Sequence, residues 1–125
     1  MATEILVNDG GAPARILPFI AGAALSGGEA VIMSADGEVD PAGAAATNVI
    51  GFMFTDAASG ANCSVITGKG VVLNALVSGV AASGALLQVE ASGDLKAGTT
   101  ADAGVAVMLG NDTGGAAALR PVLTR

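Results

Sequence analysis

The stretch Glu29-Ala-Val-Ile-Met-Ser-Ala-Asp-Gly-Glu-Val39 decides how this chain is read. Strand formers over 29–34 run into the turn signal Ala35-Asp36-Gly37, and the return begins at once, which is the pattern of a β-hairpin. The stretch lines up without gaps on Ala85-Leu-Leu-Gln-Val-Glu-Ala-Ser-Gly-Asp-Leu95, at an offset of 56, and a Ser-Gly pair stands shortly before each. Farther on, Ile50-Gly-Phe-Met-Phe-Thr-Asp56 matches Val105-Ala-Val-Met-Leu-Gly-Asn111 at an offset of 55, and Gly60 falls on Gly115. Two readings stay open. Either the chain holds two related halves, about 20–60 and 77–115, or a composition this rich in Ala, Gly and Val aligns with itself.

Working outward, similar turn signals recur at Asn8-Asp9-Gly10-Gly11, Ser26-Gly27-Gly28, Ala58-Ser59-Gly60, Thr67-Gly68-Lys69-Gly70 and Asn111-Asp112-Thr113-Gly114-Gly115. The runs between them predict strands at 14–19, 29–34, 49–55, 62–67, 70–77, 85–91, 104–109 and 117–124. Apolar residues keep no three-and-four spacing long enough for a helix. Pro18 and Pro121 lack an amide hydrogen, so the first and last of these strands are expected at edges or to end there. Asp40-Pro41 could cap a helical turn through Ala46, against the simpler reading of a small-residue loop. The expected fold is therefore all-β: a small barrel or sandwich of short antiparallel strands over 14–125, preceded by a flexible N-terminal arm at 1–13.

Composition narrows the function. The chain has 125 residues, 52% apolar and 13% charged, with 19 Gly, three Phe, and no His, Trp or Tyr. Without imidazole there is no Ser-His-Asp or Cys-His catalysis and almost no ordinary zinc site. The apolar content is mostly Ala, with Val and Leu next, so the core is light, and its burial is expected to be completed in an oligomer or against a partner. A net charge of -6 with scattered Arg15, Lys69, Lys96, Arg120 and Arg125 speaks against nucleic-acid binding, which needs clustered cations.

Lone Cys63 excludes an intramolecular disulfide and reads as a small buried hydrophobe. No secretory signal is visible. Mean hydropathy is positive, at +0.68, yet every apolar run is broken short of a membrane-spanning length, so a soluble protein is expected. Gly68-Lys69-Gly70 lacks the spacing of a phosphate loop. Asp36, Glu38 and Asp40 alternate as in a calcium loop, but the twelfth position holds Thr47 where a bidentate Glu is needed. A looser surface cation site competes there with a solvated acidic hairpin tip. Phe52 and Phe54 share one face of their strand and read as core. No catalytic residue, cofactor or metal is expected, and the chain is read as not an enzyme.

The segment Thr3-Glu-Ile-Leu-Val7 is strand-like and set apart by Asn-Asp-Gly-Gly. It would pair with its own sheet or reach a neighbouring chain as an added strand. With Arg15 it supplies the candidate contact residues: Thr3, Glu4, Ile5, Leu6, Val7 and Arg15.

Three runs carry a family resemblance: Arg15-Ile-Leu-Pro-Phe-Ile-Ala-Gly-Ala-Ala-Leu-Ser-Gly-Gly-Glu-Ala-Val31, Val49-Ile-Gly-Phe-Met-Phe-Thr-Asp-Ala-Ala-Ser-Gly-Ala61, and Cys63-Ser-Val-Ile-Thr-Gly-Lys-Gly-Val-Val72. The chain resembles, over about 15–110, the capsid cement or head decoration proteins of tailed bacteriophages. That resemblance implies a small β-rich protein made in the host cytoplasm. It would bind the major capsid protein on the outer capsid surface of the virion, commonly as a homotrimer, and brace the shell against packaged DNA. Neither nucleic acid nor membrane would be a partner. Another virion part, such as a head-fibre or tail component, is the alternative.

Overall fold

The computed structural model describes residues 5–8, 15–98 and 103–125, and among these it contains strands and turns but no α-helix. In chain order the strands are β1 (Leu6–Asn8), β2 (Arg15–Ala21), β3 (Ala30–Ala35), β4 (Glu38–Pro41), β5 (Gly51–Met53) and β6 (Asn62–Thr67). They continue as β7 (Val72–Ala81), β8 (Leu86–Ala91), β9 (Asp94–Ala97), β10 (Ala106–Met108) and β11 (Asp112–Thr124). Gly37 and Gly93 turn the β3–β4 and β8–β9 hairpins at φ of +71° and +85°, a backbone region where a Cβ is strained.

Strands β2-β4-β3-β5-β6 form a closed barrel. The second sheet runs β1-β7-β11-β10-β8-β9, and an added β7–β9 contact joins the ends of its last five strands, leaving β1 outside on β7. The two rings have the same connectivity, register for register. Val31↔Pro41, Ile32↔Asp40, Met33↔Val39 and Ala35↔Glu38 pair β3 with β4. Adding 56 to each number gives Leu87↔Ala97, Gln88↔Lys96, Val89↔Leu95 and Ala91↔Asp94, which pair β8 with β9 with the same irregularity. The parallel contact Ala21↔Val39 likewise becomes Val77↔Leu95. Even the isolated bridge Leu25↔Ala57 has its counterpart in Ala81↔Asp112.

Each ring is filled by side chains, as a barrel this narrow must be. Ala21, Leu25, Val31, Val39, Met53 and Val65 fill the first. Their counterparts Val77, Ala81, Leu87, Leu95, Met108 and Val122 are buried in the second. One large-to-small exchange, Leu25 against Ala81, is offset by larger residues at Val77, Leu87 and Leu95, which keeps the interior volume filled. Between the rings lies a seam where Ala30, Ala42, Phe52 and Ile66 of the first half join the same apolar cluster as Leu73, Ala75 and Val89 of the second. Phe52 is 3% exposed and Phe54 packs against this cluster, which gives both the core placement expected of them.

Four points correct the sequence reading or decide between its alternatives. Strand β11 is not an edge, because it pairs with both β7 and β10. Pro121 is tolerated because the β10 ladder ends at Met108↔Val122, beyond which the Pro121 carbonyl accepts from Leu109 and Gly110. Asp40-Pro41 opens no helical turn; both residues belong to β4, and the loop after them turns through Ala45 at φ +53°. The return strands β4 and β9, only four residues each, were not among the strand segments read from composition. Finally, β2–β4 and β7–β9 run parallel within otherwise antiparallel rings.

Candidate functional site

Apolar side chains exposed on β2 form the most distinctive surface of the first ring. Ile16, Leu17 and Ile20 are 37%, 47% and 40% exposed. The run Ile16-Leu17-Pro18-Phe19-Ile20 does not alternate, so both faces of the strand carry apolar side chains, and a lone ring can bury only one of them. Arg15 opens this strand and is exposed. Its carbonyl accepts a hydrogen bond from Thr67 Oγ1 at 3.0 Å, and its guanidinium lies over Gly68, where a Cβ would collide with it. Arg15 thus sets an exposed cation at the end of an apolar strand edge.

That edge is kept from pairing by Pro18. At the matching position of the second ring, Asn74 donates its N–H to the Ile5 carbonyl at 2.6 Å and so holds β1. Pro18 has no hydrogen to offer in that direction, a standard way of blunting an exposed strand edge.

Of the segment expected to make contacts, Thr3 and Glu4 lie outside the described residues. Ile5 is 2% exposed and belongs to the chain's own core cluster. Leu6 and Asn8 pair antiparallel with Leu73 and Val72, and Val7 lies between them in β1. Between the two pairings left open by the sequence, residues 5–8 adopt the one with their own sheet. The structure thus does not gather the six candidates at one place: Arg15 sits on the first ring and β1 on the second.

A cleft of about 230 Å³ opens where the rings meet, with Phe52, Lys69, Val105, Thr124 and Arg125 among its walls. Beside the seam, Glu29 is 8% exposed and accepts a 2.6 Å hydrogen bond from the Ser26 N–H. Burial raises its pKa, with smaller opposing contributions from Ser26 and further raising by Asp94 and Asp56. Asp94 is raised too, by burial first and Glu90 second. Burial also pushes the Cys63 thiol up, away from reactivity. Among the described residues no three His, Cys, Asp or Glu side chains are grouped so as to hold a metal. Asp36, Glu38 and Asp40 are accordingly not brought together as ligands, although Asp40 Oδ1 is buried against Gly22.

These surfaces suit contacts made through apolar burial and strand edges, with an exposed cation beside them. The sequence places an edge at Pro18 and a contact at Arg15, and β2 is indeed open on that side up to Ile20, where β4 joins it; the exposed Ile16, Leu17 and Ile20 are not among the sequence candidates. The signal was available in the non-alternating run around Pro18.

No family model matches the chain, and no curated protein matches it in sequence. In fold it is similar to the N base of the head fiber gp8.5 of bacteriophage phi29, with a TM-score of 0.71 at 11% sequence identity. The match covers 90% of this chain and 95% of that one. At so low an identity the likeness is one of fold.

Proposed function

We propose that this protein is a structural component of a tailed-bacteriophage virion, a decoration protein that binds the outside of the assembled capsid as a trimer and stabilises it. The observation that carries the reading is the fold shared along nearly the whole of both chains with a phage head-fibre base. The sequence pattern shared with cement proteins supports the same reading. Its partner is the major capsid protein. Thr3, Glu4, Leu6, Val7 and Arg15 are the proposed contacts, while Ile5 anchors the segment to its own sheet. Neither nucleic acid nor a membrane is engaged, and no reaction is catalysed. Weak contacts repeated over a closed lattice sum to firm attachment without one strong site.

The same fold likeness favours a second reading, in which the protein is the base of a head fibre and carries a projecting part outward. Co-sedimentation with expanded, emptied capsids of the parent phage tests attachment. Saturable binding that resists moderate salt is expected, with Arg15→Glu weakening it several-fold. Failure to co-sediment at any concentration overturns both readings.

A further inference from the structure

The seam between the two rings is head-to-tail: the residues it takes from one ring are not the counterparts of those it takes from the other. From the first half come Gly28, Ala30, Ala42 and Ala45, and from the second Leu76, Val89 and Gly93. Their bonds are Leu76 N–H to Gly28 O at 3.0 Å, Ala30 N–H to Gly93 O at 2.9 Å, Gly93 N–H to Ala42 O at 2.9 Å and Ala45 N–H to Val89 O at 2.8 Å. Two faces therefore remain uncovered. One is the first ring's version of the surface that the second ring buries, and the other is the second ring's version of the surface that the first ring buries.

Both uncovered faces keep an apolar character. On the first ring, Leu17 is 47% and Met33 41% exposed, whereas their counterparts Leu73 and Val89 are fully buried. Ile20, also exposed, corresponds to half-buried Leu76 beside the seam. The Gly37 turn meets nothing, while the matching Gly93 turn is packed against Ala30 and Glu29. On the second ring, Leu86, Val107 and Leu123 form a row across β8, β10 and β11. They match Ala30, Phe52 and Ile66, which the seam buries, yet all three are only half-buried. Leu109 is 45% exposed at the position of Phe54, which packs against the seam cluster.

We infer that a second copy of this chain covers these faces: the uncovered end of the first ring, where Leu17 and Met33 are exposed with Ile20 at its rim, docks onto the outer face of the next copy's second ring, around Leu86, Val107 and Leu109, repeating the internal seam between molecules. The occupant is identified by the chain itself: apart from β1, which pairs along Val72 and Leu73, what covers each type of face within the chain is the other half of the same repeat. At the turn the assignment removes one opposing charge: within the chain the seam sets acidic Glu29 against the Ser92-Gly93 turn, where Asp94 adds to the repulsion, whereas between copies the turn carries Asp36 and the place of Glu29 is taken by uncharged Ala85. One bond must be exchanged, because Ile20 N–H is given to Gly37 O at 2.8 Å within the chain, where Leu76 N–H goes to Gly28. A head-to-tail contact gives a ring where its rotation closes and an open filament where it does not, and a product of one defined mass is the ring.

The inference stands on the repeat and not on the capsid role, and its test uses the isolated chain. Sedimentation velocity on the full chain is expected to show a closed oligomer. Ile20→Glu on the first face, with Met33→Glu as a second variant, and Leu109→Glu on the second face should each reduce it to the 11.9 kDa monomer while leaving thermal unfolding cooperative. Mixing a first-face variant with the second-face variant leaves one intact pair of faces, so a one-to-one dimer with twice the monomer mass should appear. A monomeric wild type, variants that keep the wild-type mass, or a mixture that stays monomeric would overturn the inference.

Discussion

Asn74 gives its backbone N–H to the carbonyl of Ile5 across 2.6 Å, and this bond ties the first described strand to the second ring. The Ile5 side chain enters the core of the same ring. Truncation in Ile5→Ala leaves a cavity and should destabilise the chain by about 2–5 kcal/mol. Urea unfolding measures it, and a loss under about 0.5 kcal/mol, the range of an ordinary surface substitution, would show that β1 adds nothing to the fold.

Pro18 occupies the position of Asn74 on the first ring. Restoring a donor there with Pro18→Asn should leave the midpoint of thermal unfolding nearly unchanged but raise light scattering on storage, because an open strand edge gains a pairing site. Scattering equal to that of the wild type would mean that Pro18 does not protect the edge.

Gly37 and Gly93 hold the same place in the two hairpins and differ in what surrounds them. Gly37→Ala carries only the strain of a positive φ, about 1 kcal/mol. A Cβ at Gly93 would also lie 2.9 Å from the Ala30 carbonyl oxygen and from Glu29 Cβ. Gly93→Ala should therefore cost more, about 2–4 kcal/mol. Chemical denaturation of the pair decides it, and equal losses would contradict the packed seam.

Glu29 makes the seam sensitive to pH. Burial raises its pKa, so the folded chain keeps the proton at pH values where the unfolded chain has released it. Its contribution is fully present below the ordinary carboxylate range and is lost as pH rises through the raised value. Asp94 acts in the same direction. Thermal unfolding across mildly acidic to neutral pH should show stability falling as pH rises, with a shallower fall in Glu29→Gln. An identical slope in the variant would remove Glu29 from the account.

Much of the architecture is legible before any coordinates. The Asp36-Gly37 and Ser92-Gly93 turns mark their hairpins because only a glycine easily takes the left-handed conformation they need. The offset of 56 between the hairpins is the same offset that relates the two ladders. The return strands β4 and β9 are legible as the far arms of these hairpins, but not their extent, because four residues with one buried in each leave too short a pattern. Pro121 misleads because its position relative to the end of β10 is a tertiary fact. The exposed β2 edge is harder still: Leu17 and Leu73 look alike in sequence, and only the arrangement of the rings makes one exposed and the other buried.

Cryo-electron microscopy of virions that carry this protein decides whether it coats the head. Density of this two-ring shape is expected on the outer surface of the head, repeated over the capsid lattice and missing from particles that lack the protein. Density confined to the tail, or identical head density with and without the protein, would rule out attachment to the capsid.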